Sequence, residues 1–193
     1  MDNSLLKNQK KFPNATIPNV ITFGGLIFAL TGIYLLLNDQ ILIAIIFLTL
    51  SDVWDTLDGY IARKFKMFSP IGADLDSLVD AIAYMIPPFI IAVLSGSNIL
   101  IFTAGIFVAC GIFRLAKFNV EEKIIGYGKG MQTPIAAHFI YLSVVMGMPY
   151  EILPLAYLGL SILMISPFLI KSKFSTGTSL ILMPMIIFLV IFQ

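Results

Sequence analysis

Between Ile17 and Leu37 the chain runs 21 residues without a charged side chain. As a helix rising about 1.5 Å per residue, that is enough to cross the roughly 30 Å hydrocarbon core of a bilayer. Six more apolar runs follow: Ile41 to about Lys66 with an acidic second half, Ile71 to Leu94, Ile99 to Leu115, Pro134 to Met148, Ile152 to Ile170 and Leu180 to Phe192. Turn-forming residues separate them at Asn38-Asp39, Ser69-Pro70, Ser95 to Asn98, Gly126 to Gly130, Gly147 to Pro149 and Ser175 to Gly177. With 59% hydrophobic and only 12% charged residues among 193, the composition excludes an ordinary soluble domain. The expected fold is all-α, a polytopic transmembrane bundle of six to seven spans forming one domain over residues 1–193. No nucleic-acid partner is expected. The first run is too long, and lacks the small-residue cleavage site, for a removed signal peptide.

Charge placement orients the bundle. All 12 Lys and Arg fall on one side: Lys7, Lys10 and Lys11 before the first span, Arg63, Lys64 and Lys66 after the second, Arg114, Lys117, Lys123 and Lys129 ending or following the fourth, Lys171 and Lys173 after the sixth. The alternate loops carry none, so the positive-inside rule places the amino terminus in the cytoplasm, as expected for a multi-pass protein of the cell membrane. Residues 1–16, with Leu5, Leu6 and Phe12 among lysines, read either as an interfacial amphipathic segment or as a flexible basic tail. A single cysteine, Cys110, excludes an internal disulfide, and with a single histidine, His138, leaves too few N or S ligands for a typical zinc site. Any metal must be held by oxygen.

Six aspartates, Asp52, Asp55, Asp58, Asp74, Asp76 and Asp80, interrupt the second and third runs. A centrally placed, lipid-facing Asp costs about 2.5 to 3.5 kcal/mol on insertion scales, so these six need compensation. Asp55 and Asp58 are i, i+3 neighbours and Asp76 and Asp80 are i, i+4 neighbours, so each pair occupies one helix face. Counted back from Arg63, Asp58 and Asp55 lie roughly 7 and 12 Å along the helix; counted on from Pro70, Asp76 and Asp80 lie roughly 9 and 15 Å in. Four carboxylates at matching depths can share one cavity open to the cytoplasm. They repel one another unless cations bind among them, and oxygen-only ligation suits Mg²⁺ or Mn²⁺. Two ions bridged by shared aspartates would suit phosphoryl transfer.

Other residues take their reading from this cavity. Gly59, Ala62 and Gly72 keep its wall low for a bulky ligand, and Arg63 offers a planar, multi-donor cation to a phosphate. Equally, glycines pack helices and a rim arginine obeys the positive-inside rule. Asp52, one turn before Asp55, is expected to face the cavity; Asp74 is expected to cap the start of the third helix. His138 reads as a packed or hydrogen-bonded helix residue, and Trp54 as packed against lipid or another helix.

Taken together, Asp55-Thr56-Leu57-Asp58-Gly59-Tyr60-Ile61-Ala62-Arg63, an eight-residue gap, and Gly72-Ala73-Asp74-Leu75-Asp76-Ser77-Leu78-Val79-Asp80 resemble the signature of the CDP-alcohol phosphotransferases. That pattern, D-x-x-D-G-x-x-A-R-x(8,9)-G-x-x-x-D-x-x-x-D, is met at every specified position. Ile17-Pro18-Asn19 is similar to the family's entry to its first helix. The resemblance implies a membrane enzyme, usually a homodimer, that replaces the CMP of a CDP-linked lipid by an alcohol. It implies divalent metal, two ions of Mg²⁺ or Mn²⁺, on Asp55, Asp58, Asp76 and Asp80, with Asp80 also the catalytic base. It further implies a CDP-lipid site at Pro18, Asn19, Gly59, Ala62, Arg63 and Gly72, the acyl chains lying among membrane lipids.

Asp76 to Asp80, Cys110 to Val120 and Gly130-Met131-Gln132-Thr133-Pro134 are similar to the phosphatidylserine synthase branch, extending the likeness over residues 17–173. The branch implies L-serine as acceptor and CDP-diacylglycerol, or its ether-lipid equivalent, as donor. Arg114, Lys117 and Asn119 lie in the stretch that resembles the serine-using members; Arg114 offers bidentate geometry to the amino acid's carboxylate. The other reading of Arg114 and Lys117 is snorkelling to headgroups. Gln132 stands where the branch usually has proline, which puts the turn before the fifth span in question. Two alternatives stay open: glycerol 3-phosphate or inositol phosphate as acceptor, and, in another class, a cation transporter.

Overall fold

The computed structural model describes residues 17–67, 70–122, 128–167, 169–170 and 172–192. Helix α1 spans Ile17–Leu37 and α2 spans Ile41–Phe65, joined by a tight turn in which Asp39 takes a left-handed φ of 57°. Helix α3 (Pro70–Asp80) passes through a π-helical turn (Ala81–Met85) into α4 (Ile86–Leu94), making one rod. Helix α5 (Asn98–Lys117) ends in a second π-helical turn (Phe118–Glu122). Then come α6 (Thr133–Val145), α7 (Leu153–Ile165) and α8 (Ser172–Ile191). A two-residue antiparallel ladder pairs Gly128 with Ile170 and Lys129 with Leu169. Residues 1–16, Ser69, Lys123, Gly126 and Lys171, which carried readings of their own, lie outside the described residues.

The chain is a helical membrane bundle. Ile17–Leu37, Ile71–Leu94 and Asn98–Val120 are long and apolar enough to cross a bilayer, and Thr133–Val145, Leu153–Ile165 and Ile181–Ile191 are shorter apolar helices. Two boundaries move from expectation. Helix α7 stops at Ile165, not Ile170, because Pro167 forces Ser166 into an extended conformation (φ −62°, ψ 149°). Helix α8 starts at Ser172, well before the apolar run at Leu180. Hydropathy sees only the lipid-matched length of a helix and is blind to a polar first turn.

The helices are apolar on the outside. On α1, Val20, Phe23, Ile27, Leu30 and Tyr34 are exposed while Asn19, Thr22, Gly25, Ala29 and Gly32 are buried. In lipid no hydrophobic force drives helices together, so the inner face is built from small residues that allow close approach and polar ones that bond across. A Cβ on Gly32 would lie 2.6 Å from Leu48 Cγ, and one on Gly24 would lie 2.8 Å from the Trp54 ring. Trp54 therefore packs on α1. Ser51 Oγ donates to the Gly25 carbonyl at 2.9 Å, tying the two helices at the level where the aspartates begin.

The π-helical turn has a local cause. Pro87 and Pro88 supply no backbone N–H and crowd the preceding turn, so the ladder ahead of them widens. The Ala83 carbonyl accepts instead from Tyr141 Oη at 3.4 Å, and the Pro88 carbonyl accepts from Tyr157 Oη at 2.7 Å. Both tyrosines are fully buried, so each phenol end is satisfied by a carbonyl.

Gly130 shows why the segment before α6 needs glycine. Its φ is +79°, and a Cβ there would collide with the Met164 carbonyl at the end of α7. Met131 N–H donates to Leu163 O at 2.9 Å, fastening the same joint. Next to it, Gln132 sits at φ −73° and ψ 146°, the geometry a proline would impose. The turn before α6 therefore has a backbone that a proline could adopt.

Candidate active site

Helix α2 ends where Lys66 turns left-handed (φ 56°) and returns its N–H to the Ala62 carbonyl. That stop places Arg63 and Lys64 in the last turn and leaves Asp52, Asp55 and Asp58 on the turns behind it. Helix α3 comes back alongside with Asp76 and Asp80. Oxygens of Asp55, Asp76 and Asp80 lie within 4.8 Å of one another. Carboxylate oxygens are the donors that hard divalent cations take, and a spread this small is one that a single ion, or two bridged ions, can draw together. The residues present fit such a metal.

Asp58 is outside that trio but lines the same small cavity, together with Asp55, Asp80, Thr22, Ser51 and Tyr84. Its Oδ2 accepts a short hydrogen bond from Thr22 Oγ1 on α1, a hydroxyl that also lies 3.0 Å from the Pro18 carbonyl. A buried carboxylate with a bonded hydroxyl is oriented, not merely tolerated. Pro18 and Asn19 are buried on the same face of α1, one turn before Thr22. The first helix thus contributes to the cavity wall.

At the exposed mouth, Arg63 folds over Gly59: a Cβ on Gly59 would stand 3.3 Å from an Arg63 guanidinium nitrogen. Ala62 and Gly72 are half-buried on the two carboxylate helices. From α5, Arg114 is buried, its guanidinium 5.4 Å from the centre of the Phe118 ring, and its charge acts on Asp80. Asn119 Oδ1 accepts from Ser77 Oγ at 2.8 Å, and Ser77 stands between Asp76 and Asp80 on α3. Arg114 and Asn119 therefore belong to the carboxylate neighbourhood; Lys117 is half-buried at the end of α5.

Two expectations change. Asp74 is exposed in the second turn of α3, past the first-turn position where it would cap the helix. Asp52 does lie at the inner end of the site, but its carboxylate is engaged: Oδ1 accepts from Tyr84 Oη at 2.9 Å and Oδ2 lies 3.8 Å from His138 Nε2. Thr22, Ser77 and Tyr84 had no place in the sequence reading. Each is a hydroxyl on a buried helix face, a signal readable from the helical period once the buried face is known.

The comparisons with known proteins agree with one another. The profile of the CDP-alcohol phosphatidyltransferase family matches residues 15–192. The chain is 33% identical over 156 residues to a CDP-diacylglycerol–serine O-phosphatidyltransferase of Bacillus subtilis, covering 78% of this chain and 86% of that protein. It is 31% identical over 172 residues to an archaetidylserine synthase of Methanothermobacter thermautotrophicus, covering 83% and 72%. A third relative, a CDP-diacylglycerol–serine O-phosphatidyltransferase of Methanocaldococcus jannaschii, is 38% identical over 106 residues, 54% of this chain and 49% of that one.

Proposed function

This chain belongs to the CDP-alcohol phosphatidyltransferase family, and from that premise we propose that it makes a phosphatidylserine-type lipid. The donor is CDP-diacylglycerol or its ether-lipid equivalent, the acceptor L-serine, and the second product CMP. The single observation that carries the reading is the meeting of Asp55, Asp76 and Asp80 from two adjacent helices, inside a complete family signature. Names of the relatives that use serine support the choice of acceptor.

Asp55, Asp76 and Asp80, with Asp58 turned inward by Thr22, would hold two ions of Mg²⁺ or Mn²⁺. Bound divalent ions supply charge that neutralises the diphosphate and the departing phosphate. The serine hydroxyl oxygen attacks the lipid-linked phosphorus; a new P–O bond forms as the bond to the CMP phosphate oxygen breaks. Asp80 takes the serine proton. Arg63, lying back over Gly59, meets the diphosphate at the mouth, with Pro18, Asn19, Ala62 and Gly72 forming the surrounding wall. Arg114 pairs with the serine carboxylate and Asn119, fixed by Ser77, with its polar end, Lys117 adding charge at the rim.

The basic ends of α2 and α5 support a cytoplasmic site in the cell membrane, where serine and lipid can meet. The whole chain acts as one domain and works as a homodimer. The test is a CMP-release assay on purified protein with CDP-diacylglycerol and, separately, serine, glycerol 3-phosphate and inositol 1-phosphate. Release that depends on serine and on added Mg²⁺ or Mn²⁺ is expected. Release only with a phosphorylated acceptor would remove the serine assignment.

A further inference from the structure

Below the carboxylates lies a second polar group that the reaction above does not use. Asp52 is 2% exposed and His138 fully buried. Asp52 stands one turn before Asp55 on α2, and Tyr84 stands one turn after Asp80 on the rod that follows α3. Residues three and four apart share a helix face. The 2.9 Å bond from Tyr84 to Asp52 therefore joins the two carboxylate helices one turn beneath the place where Asp55 and Asp80 meet.

The third member comes from another helix. His138 Nδ1 lies 2.7 Å from the Pro134 carbonyl, which requires Nδ1 to carry a hydrogen. Its Nε2 makes no hydrogen bond among the described residues and points at Asp52 Oδ2 across 3.8 Å. Three residues on, on the same face of α6, Tyr141 bonds the Ala83 carbonyl in the π-helical turn. Helix α6 thus touches both carboxylate helices, one through His138 and the other through Tyr141.

We propose that Asp52, Tyr84 and His138 form a buried clasp of positioning residues that sets the spacing of Asp55 and Asp80 and so the affinity of the site for divalent metal. Asp52 acts through its partners and is not itself a metal ligand. The inference rests on the metal-site reading above, and goes beyond it in assigning function to three residues outside the signature. A carboxylate bonded by Tyr84 through Oδ1 and faced by His138 at Oδ2 is turned away from the ions, while the Tyr84 bond keeps the helices it joins from drifting apart.

The experiment is Mn²⁺ titration of detergent-purified protein, free Mn²⁺ being read by its EPR signal, beside thermal unfolding without metal. Tyr84→Phe, which removes one oxygen and with it the link between the two carboxylate helices, is expected to weaken Mn²⁺ binding about tenfold, the low end of the loss seen when the support of a metal site is removed. Asp52→Ala should do the same. Asp52→Asn keeps an acceptor for Tyr84 and offers an N–H₂ to His138, so it should retain affinity within about threefold, whereas a true ligand would lose as much as alanine. His138→Gln should lie between. Unchanged affinity in a folded Tyr84→Phe protein, or equal losses in Asp52→Asn and Asp52→Ala, overturns the clasp while leaving the metal site standing. A wild-type protein that binds no Mn²⁺ would overturn the metal reading and the clasp with it.

Discussion

The two halves of α2 are built for opposite purposes. From Ile41 to Leu50 the helix is apolar, and its inner face meets α1 through Leu48 against Gly32. From Ser51 to Phe65 the inner face carries Ser51, Asp52, Asp55 and Asp58, each answered by a group on another helix or by another carboxylate. The first half is held by shape and tolerates anything that keeps the volume. The second half places like charges together, an arrangement that costs stability and is explained only by what binds there. Substitutions among the groups that each half of α2 meets should therefore separate activity from stability.

The largest contrast is expected at Asp80. Asp80→Asn should lower serine-dependent CMP release by about 10²-fold or more, the scale of a lost general base, while the metal-free unfolding temperature stays level or rises as a repelling charge goes. A variant with undiminished turnover would take away its role as base. The other half is probed from across the seam: Gly32→Ala on α1 drives a methyl into Leu48 and should destabilise the protein by about 1 to 3 kcal/mol. Turnover per folded molecule should stay within twofold, as read by active-site titration. Thr22→Val removes the donor to Asp58 and belongs to both halves of the comparison: it should cost about 1.5 to 3 kcal/mol of the carboxylate's stabilisation and raise the Mn²⁺ concentration needed for half-maximal activity. An unchanged metal requirement would leave Thr22 a packing residue.

The smallest effect tests the joint between Lys129 and α6. Gln132 already has the backbone of a proline, so Gln132→Pro should be neutral or stabilise by about 0.4 to 1 kcal/mol through the unfolded chain. Thermal unfolding should show this with the serine KM unaltered. A marked loss of stability would mean that the Gln132 side chain or N–H has a partner the joint needs.

Much of this was legible beforehand because hydropathy and helical period are local. The bounds of α1 and the faces bearing Asp55, Asp76 and Asp80 followed from spacing alone. What spacing could not supply is which group on a distant helix answers each polar residue. Asp52 looked like one more member of the acidic cluster until Tyr84 was seen to bond it and His138 to face it. Asp58 looked equivalent to Asp55 until Thr22, 36 residues earlier, was found to hold it. The early stop of α7 was readable from Ser166-Pro167, and hydropathy outvoted it; the polar start of α8 left no hydropathy trace at all.

The indole of Trp54 has a practical consequence. It is the chain's one tryptophan, seated between Asp52 and Asp55 in sequence and stacked on Phe28 at 5.8 Å. Its ultraviolet emission is therefore a built-in optical gauge of the seam between the first two helices, free of background from any other indole. Ligands that tighten or loosen that seam will announce themselves as a change in colour or brightness, with no dye attached to the protein.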